Sequence, residues 1–165
     1  MNEAQRLVDL IPRLRRYARA LVSDRASADD LVQDTLERAW AKLHLYRRGT
    51  DLRAWLFTVM HNVHVNKVRS ARATDPLEDE MPELAQRAAQ GDSLVVRDLD
   101  RAIARLPDEQ RAVLLLVTLE EMSYDEVARA LGIPIGTVMS RLSRAREKLR
   151  GMMLGQAAAK LKVVK

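Results

Sequence analysis

Residues 123–149 read SYDEVARALGIPIGTVMSRLSRAREKL, and the punctuation of this stretch decides the fold class of the chain. Ser123, with Glu126 three residues on, forms a capping box, in which hydroxyl and carboxylate satisfy free N–H groups at a helix start. Val127, Ala128 and Leu131 give a short helix its apolar side, and Gly132 can take the left-handed conformation that ends it. Pro134 and Gly136 mark a turn. A second helix then carries Val138, Leu142, Ala145 and Leu149 on one stripe. On a wheel of about 100° per residue, Gly136, Ser140, Ser143 and Glu147 lie opposite that stripe, flanked by Met139, Arg144 and Arg146. Two short helices joined by a glycine-containing turn, the second offering small polar and basic residues outward, are a helix-turn-helix with its recognition helix. A plain helical hairpin would share the spacing. Against that reading, Arg141, Arg144, Arg146, Lys148 and Arg150 are offset only by Glu147, where a merely soluble helix would interleave both signs.

Working outward, 165 residues make one ordinary domain or two small ones. Apolar residues reach 47% and aromatics only 4%, so the cores are built from Leu, Val, Ala and Met. Regular strand alternation is missing, which makes the class all-α. The chain has no cysteine, which excludes disulfides and thiolate metal sites and fits a reducing, cytoplasmic setting. No stretch resembles a signal peptide or a membrane span. The net charge of +5 is uneven. Residues 1–75 hold 14 basic against 9 acidic residues, 101–165 hold 12 against 7, and 76–100 hold 2 against 7. Two basic blocks and an acidic connector imply two modules on a polyanion, joined by a segment that avoids it.

In the first block, Leu7–Leu21 and Ala28–Leu43 read as helices, the second capped by Ser27 and buried along Val32, Leu36, Ala39, Trp40 and Leu43. Asp30, Asp34 and Glu37 lie off that stripe at i, i+4 and i+7. A metal site there would need further ligands, but the only histidines are His44, His61 and His64, and no second carboxylate-rich helix faces it. No metal or cofactor is expected. A solvated face is the plain reading; a docking surface for a basic protein explains why an acidic face stands in a basic module. HLYRRGT, residues 44–50, breaks the helical pattern, and Asp51 caps a third helix from Leu52 to about Ala71. Its core side is Leu52, Leu56, Val59, Met60 and Val63, with Trp55 and Phe57 at the margins. Asn62, Asn66 and Arg69 share one flank, while Thr58, His61 and Val65 point away from the core. Aromatics beside Asn and Arg suit unstacked bases, although Trp55 and Phe57 also suit a core. His61 and His64 lack a nucleophile or orienting partner, so no enzyme is expected.

The run 74–91, TDPLEDEMPELAQRAAQG, is proline-punctuated and acidic, a linker pattern. Helices resume at Leu94–Leu106 and after Pro107, with Asp108 and Glu109 in a first turn. Ala112–Leu119 is apolar on nearly all sides and reads as the buried centre of the second module. The expected architecture is two small helical domains, 1–75 and 93–165, folding separately across a mobile connector, 76–92.

DDLVQDTLERAW, then DLRAWLFTVMHNVHVNKVR, an acidic linker, and LPDEQRAVLLLVTLEEMSYDEVARALGIPIGTVMSRLSRAREKLR resemble a two-domain bacterial sigma factor of the extracytoplasmic-function (ECF) group over roughly residues 7–150. The resemblance implies a first domain that binds the clamp helices of the RNA polymerase β′ subunit and opens the minus-10 element. The second would read duplex at the minus-35 element and rest on the β-subunit flap. By position it puts Asp30, Asp34 and Glu37 in the core-binding segment, and Tyr46, Arg47, His61, Asn62, Asn66 and Arg69 at the minus-10 element. Thr137, Met139, Ser140, Ser143, Arg144 and Lys148 fall at the minus-35 element. It also implies an anti-sigma factor as partner. The chain departs from the family's common residues at His61, Asn66 and Met139. A stand-alone helix-turn-helix regulator would use the same recognition helix but leaves the acidic face and the Tyr46 loop unexplained.

Overall fold

The computed structural model of the chain describes residues 2–74 and 94–163, and the predicted connector 76–92 lies outside them. Among the described residues there are seven α-helices, one 3-10 turn and no strand. The all-α class is as the strand-free sequence pattern predicts.

Helix α1 spans Glu3–Leu21 and starts one turn earlier than expected, because the Asn2 side chain accepts the Gln5 N–H at 2.9 Å. Helix α2 spans Arg25–Ala41. Its cap is Asp24, not Ser27: the carboxylate takes the N–H groups of Ala26 and Ser27 and the Ser27 hydroxyl. Two carboxylate oxygens satisfy more orphan donors than one hydroxyl, so the helix starts a turn earlier. The buried face of α2 runs through Ala28, Leu31, Val32, Thr35 and Ala39. Trp40 sits about 100° past it and is 63% exposed, so its expected core position is corrected. A 3-10 turn, Leu43–Leu45, leads to helix α3, Leu52–Thr74. As predicted, Asp51 caps α3 by accepting the N–H groups of Arg53 and Ala54. These three helices pack on one another around Leu14, Leu31, Leu56 and Met60. Phe57 is no margin residue. It is buried, edge-on to Tyr17 with centroids 5.2 Å apart.

The second half comprises α4 (Leu94–Ala104), α5 (Asp108–Thr118), α6 (Tyr124–Leu131) and α7 (Ile135–Val163). Pro107 stands at the cap of α5 rather than inside it, and Asp108 and Glu109 occupy the first turn. The run 112–116 is buried residue after residue, as its unbroken apolar character requires. Helices α4, α5 and α6 all pack on α7.

The two helical domains pack against each other. Helix α1 packs on α4 and α5, and α3 packs on α6, so one continuous core runs through both. This is why α3 is buried on two sides: one meets α1 and α2, the other meets the second half.

Candidate nucleic-acid interface and acidic docking face

The helix-turn-helix forms, but α7 starts at Ile135, so Gly136 lies in its first turn and not in the connecting turn. The Ser123 hydroxyl accepts the Glu126 N–H, and Gly132 takes φ +66° to end α6. Val138, Leu142 and Ala145 are buried, which turns the opposite side of α7 outward. Ser140, Ser143, Arg144 and Lys148 are exposed there, and Thr137 is half-buried. Met139 is 49% exposed, so it belongs to this outer surface and not to the packing beneath it. Arg141, counted with the basic cluster, faces Glu109 of α5 at 3.6 Å instead. Among the described residues, the free cations of this face are therefore Arg144, Arg146, Lys148 and Arg150. They can neutralise phosphates, while Ser140 and Ser143 leave room for close approach of a groove.

On α3, Asn62, Asn66 and Arg69 are exposed along one flank, which leaves amide and guanidinium groups free for base edges. His61 is half-buried, and burial, followed by the charge of His64, holds it below its ordinary range. Tyr46 is buried. Its hydroxyl bonds the Thr50 carbonyl and its ring lies 5.5 Å from Trp55, while Arg47 beside it is exposed. The Tyr46 loop is thus ordered by its own ring, and the ring faces inward.

The acidic face is less free than the sequence suggests. Lys67 of α3 places its ammonium 2.5 Å from Asp30 and from Asp34, and these hydrogen bonds raise its pKa. Among the described residues, Glu37 is held only by Gln33, at 3.4 Å. Lys67 was missed because nothing in α3's own periodicity pairs it with α2. Among the described residues, no cluster of three or more His, Asp or Glu has metal-holding geometry.

The seam between the halves was also missed. His64 Nε2 lies 2.9 and 3.0 Å from the two Asp108 oxygens. Burial works to raise Asp108, but His64 and Arg111 outweigh it and hold the carboxyl below its ordinary range. Arg111 donates to the carbonyls of Ile103, Ala104 and Leu106, and across the seam to Leu21. Arg53 donates to the Glu120 carbonyl at 2.9 Å and reaches Glu126 at 3.4 Å. Glu120 itself is buried opposite Arg13 and Arg16. One signal was present: Glu120 follows a run, Ala112–Leu119, that is apolar except for Thr118, an unusual place for a carboxylate.

Residues 7–61 match the family model for the sigma2 domain of PhyR, and residues 97–149 match sigma-70 region 4. The ECF RNA polymerase sigma factor EcfG of Rhodopseudomonas palustris is 35% identical, over 87% of this chain and 80% of its own length. The chain belongs to the ECF RNA polymerase sigma factors. SigM of Mycobacterium tuberculosis, another such sigma factor, is 36% identical over 85% of this chain and 71% of its own. The sigma factor RpoE of Bartonella quintana, solved in complex with the anti-sigma factor NepR, superposes with a TM-score of 0.81. It is 36% identical and covers 91% of this chain and 95% of its own. This sigma factor accordingly directs transcription initiation at promoters, and its helix-turn-helix is region 4. No helix among the described residues is long and apolar enough to cross a membrane.

Proposed function

We propose that this sigma factor divides promoter reading between its halves, residues 1–75 and 93–165. Thr137, Met139, Ser140, Ser143, Arg144 and Lys148 read duplex at the minus-35 element. Asn62, Asn66 and Arg69, with His61, Tyr46 and Arg47, engage the opened minus-10 element. Asp30, Asp34 and Glu37 dock on the β′ subunit of core polymerase, and region 4 rests on the β flap. The protein works in the cytoplasm and has no catalytic activity of its own. An anti-sigma factor restrains it, a reading supported by the NepR complex of the similar RpoE.

The observation that carries this reading is the outward face of α7. It presents small polar and basic residues together, above a fully buried Val138–Leu142–Ala145 stripe. The Asn62, Asn66 and Arg69 flank of α3 supports the second role. Tyr46 must turn out of its pocket to hold a base, so its role requires the loop 46–51 to rearrange on promoter opening. The test is run-off transcription with core polymerase on a pool of promoter fragments. Specific transcripts that appear only with the sigma factor support the proposal. Duplex binding without any transcript would instead favour a stand-alone regulator.

A further inference from the structure

Two promoter elements named for positions 35 and 10 lie roughly 25 base pairs apart, or ~85 Å at about 3.4 Å per pair. A compact chain of 165 residues has a radius of gyration of ~15 Å, hence a diameter of roughly 40 Å. The closed arrangement, with α6 against α3 and α5 against α1, cannot span that distance. Promoter reading as proposed above requires the halves to part, so whatever sets the balance between closed and open sets activity.

The seam contains one group whose burial is out of proportion to its partners. The Glu120 side chain is 0% exposed and both of its oxygens lack a hydrogen-bond partner. The nearest cations are Arg16 at 3.6 Å and Arg13 at 3.9 Å, and these remain 56% and 48% exposed. The arginines keep water while the carboxylate loses all of it. The position is built, not accidental: Glu120 N–H bonds the Leu115 carbonyl, Met122 N–H bonds Leu116, and Glu121 takes a left-handed φ of 53° between them. That turn drives the Glu120 side chain into the seam.

We propose that Glu120 is the release element of a self-inhibiting closure. Its buried charge keeps the two halves only loosely shut, so that polymerase and promoter can part them. The apolar packing, the Arg53 bonds to the α5–α6 turn and the His64–Asp108 pair do the closing. Glu120 opposes it, because a fully buried carboxylate with no close hydrogen bond costs more than guanidinium groups at 3.6 and 3.9 Å, themselves half in water, return. Burial raises its pKa, and the charges of Arg13, Arg16 and Arg53, with the approach of the Arg16 side chain, offset only part of that effect. A neutral amide of the same shape removes the cost, and Arg13 and Arg16 are wet enough to need no counter-ion.

This inference rests on the promoter-reading function, and its test separates the two. The chain has no cysteine, so Ala26→Cys and Arg101→Cys, both at exposed sites outside the DNA-facing surface, accept a dye pair across the seam. Single-molecule energy transfer then reads the closed-to-open ratio of the full chain, and run-off transcription is measured alongside. Glu120→Gln should raise that ratio about tenfold and lower transcription at limiting core polymerase. Arg53→Ala, which removes a closing contact, should shift both readouts the other way. A Glu120→Gln ratio that falls would make the carboxylate a clasp and overturn the proposal. An unchanged ratio would overturn it equally. If energy transfer responds as expected but even the wild type yields no transcript, the closure stands and the promoter-reading function fails. If transcription proceeds while energy transfer ignores both variants, the closure fails alone.

Discussion

Arg144 and Met139 test the recognition helix from opposite chemistries. The exposed Arg144 has no ion-pair partner in the closed chain among the described residues, so its guanidinium is available to a base edge or a phosphate. Arg144→Ala should weaken binding to minus-35 duplex by about 1–3 kcal/mol if it reads a base edge, as measured by titration against cognate and scrambled duplexes. Met139 offers only apolar contact, but its surface position allows a cation there without burial. Met139→Arg should therefore leave the melting temperature unchanged, strengthen binding to most sequences and steepen the salt dependence by about one counterion. A large fall in melting temperature would mean that the side chain packs after all. Ser123 stabilises the same motif from behind. Ser123→Ala should cost roughly 1 kcal/mol in a denaturant titration, through the lost bond to Glu126 N–H.

At the scale of elements, α2 and α3 set the strength of the acidic face jointly. With Lys67 bridging Asp30 and Asp34, two of the three carboxylates are partly neutralised before any partner arrives. Lys67→Met should unmask them and tighten binding to core polymerase about two- to fivefold at low salt, with the gain fading as salt rises. Asp34→Lys combined with Glu37→Lys should do the reverse without unfolding the chain, because neither side chain is buried. Equal core affinity for wild type and double variant would move the docking surface elsewhere. Exposed Trp40, one residue past the buried face of the same helix, is the apolar neighbour available to such a partner.

For the whole molecule, pH should act through the seam, and two carboxylates act in opposite senses. Glu120 has its pKa raised from 4.5 in the closed state, so the closed chain binds the proton more tightly than the open one. Its contribution to closure is complete below about 4.5 and is lost as pH rises through the raised value. The groups facing it are the guanidinium groups of Arg13 and Arg16 from α1 and of Arg53 from α3. Asp108 is lowered from 3.8, so its contribution is present above 3.8 and lost only as pH falls through the lower value. Within that span His61, held below its ordinary range mainly by burial, works against Glu120, so the Glu120 part is the difference between wild type and Glu120→Gln. Closure followed by energy transfer should weaken in the wild type relative to Glu120→Gln as pH rises from about 4.5 towards neutrality.

The local punctuation of the chain was enough for the elements. Ser123, Gly132 and Asp51 each satisfy or end a helix by bonds to residues within four positions, and such bonds depend on little else. The Val138–Leu142–Ala145 stripe likewise fixes which side of α7 faces out, since helical periodicity needs no knowledge of the neighbour. Family membership followed from the order and spacing of two such blocks. What periodicity could not reach was every contact between distant segments. Asp24 outcompeted Ser27 because two oxygens met three donors. Trp40 was left outside because Ala39 and its neighbours already filled the face. Phe57 was drawn in by Tyr17 of another helix. Lys67 joined Asp30 and Asp34 from another helix too, and His64 and Glu120 lost their water where the second half closed over the first. The apolar stripe of a helix is written in that helix's own residues. Burial at a seam, and the charge trapped there, belong to the pair of surfaces that meet, and only the tertiary structure brings those surfaces together.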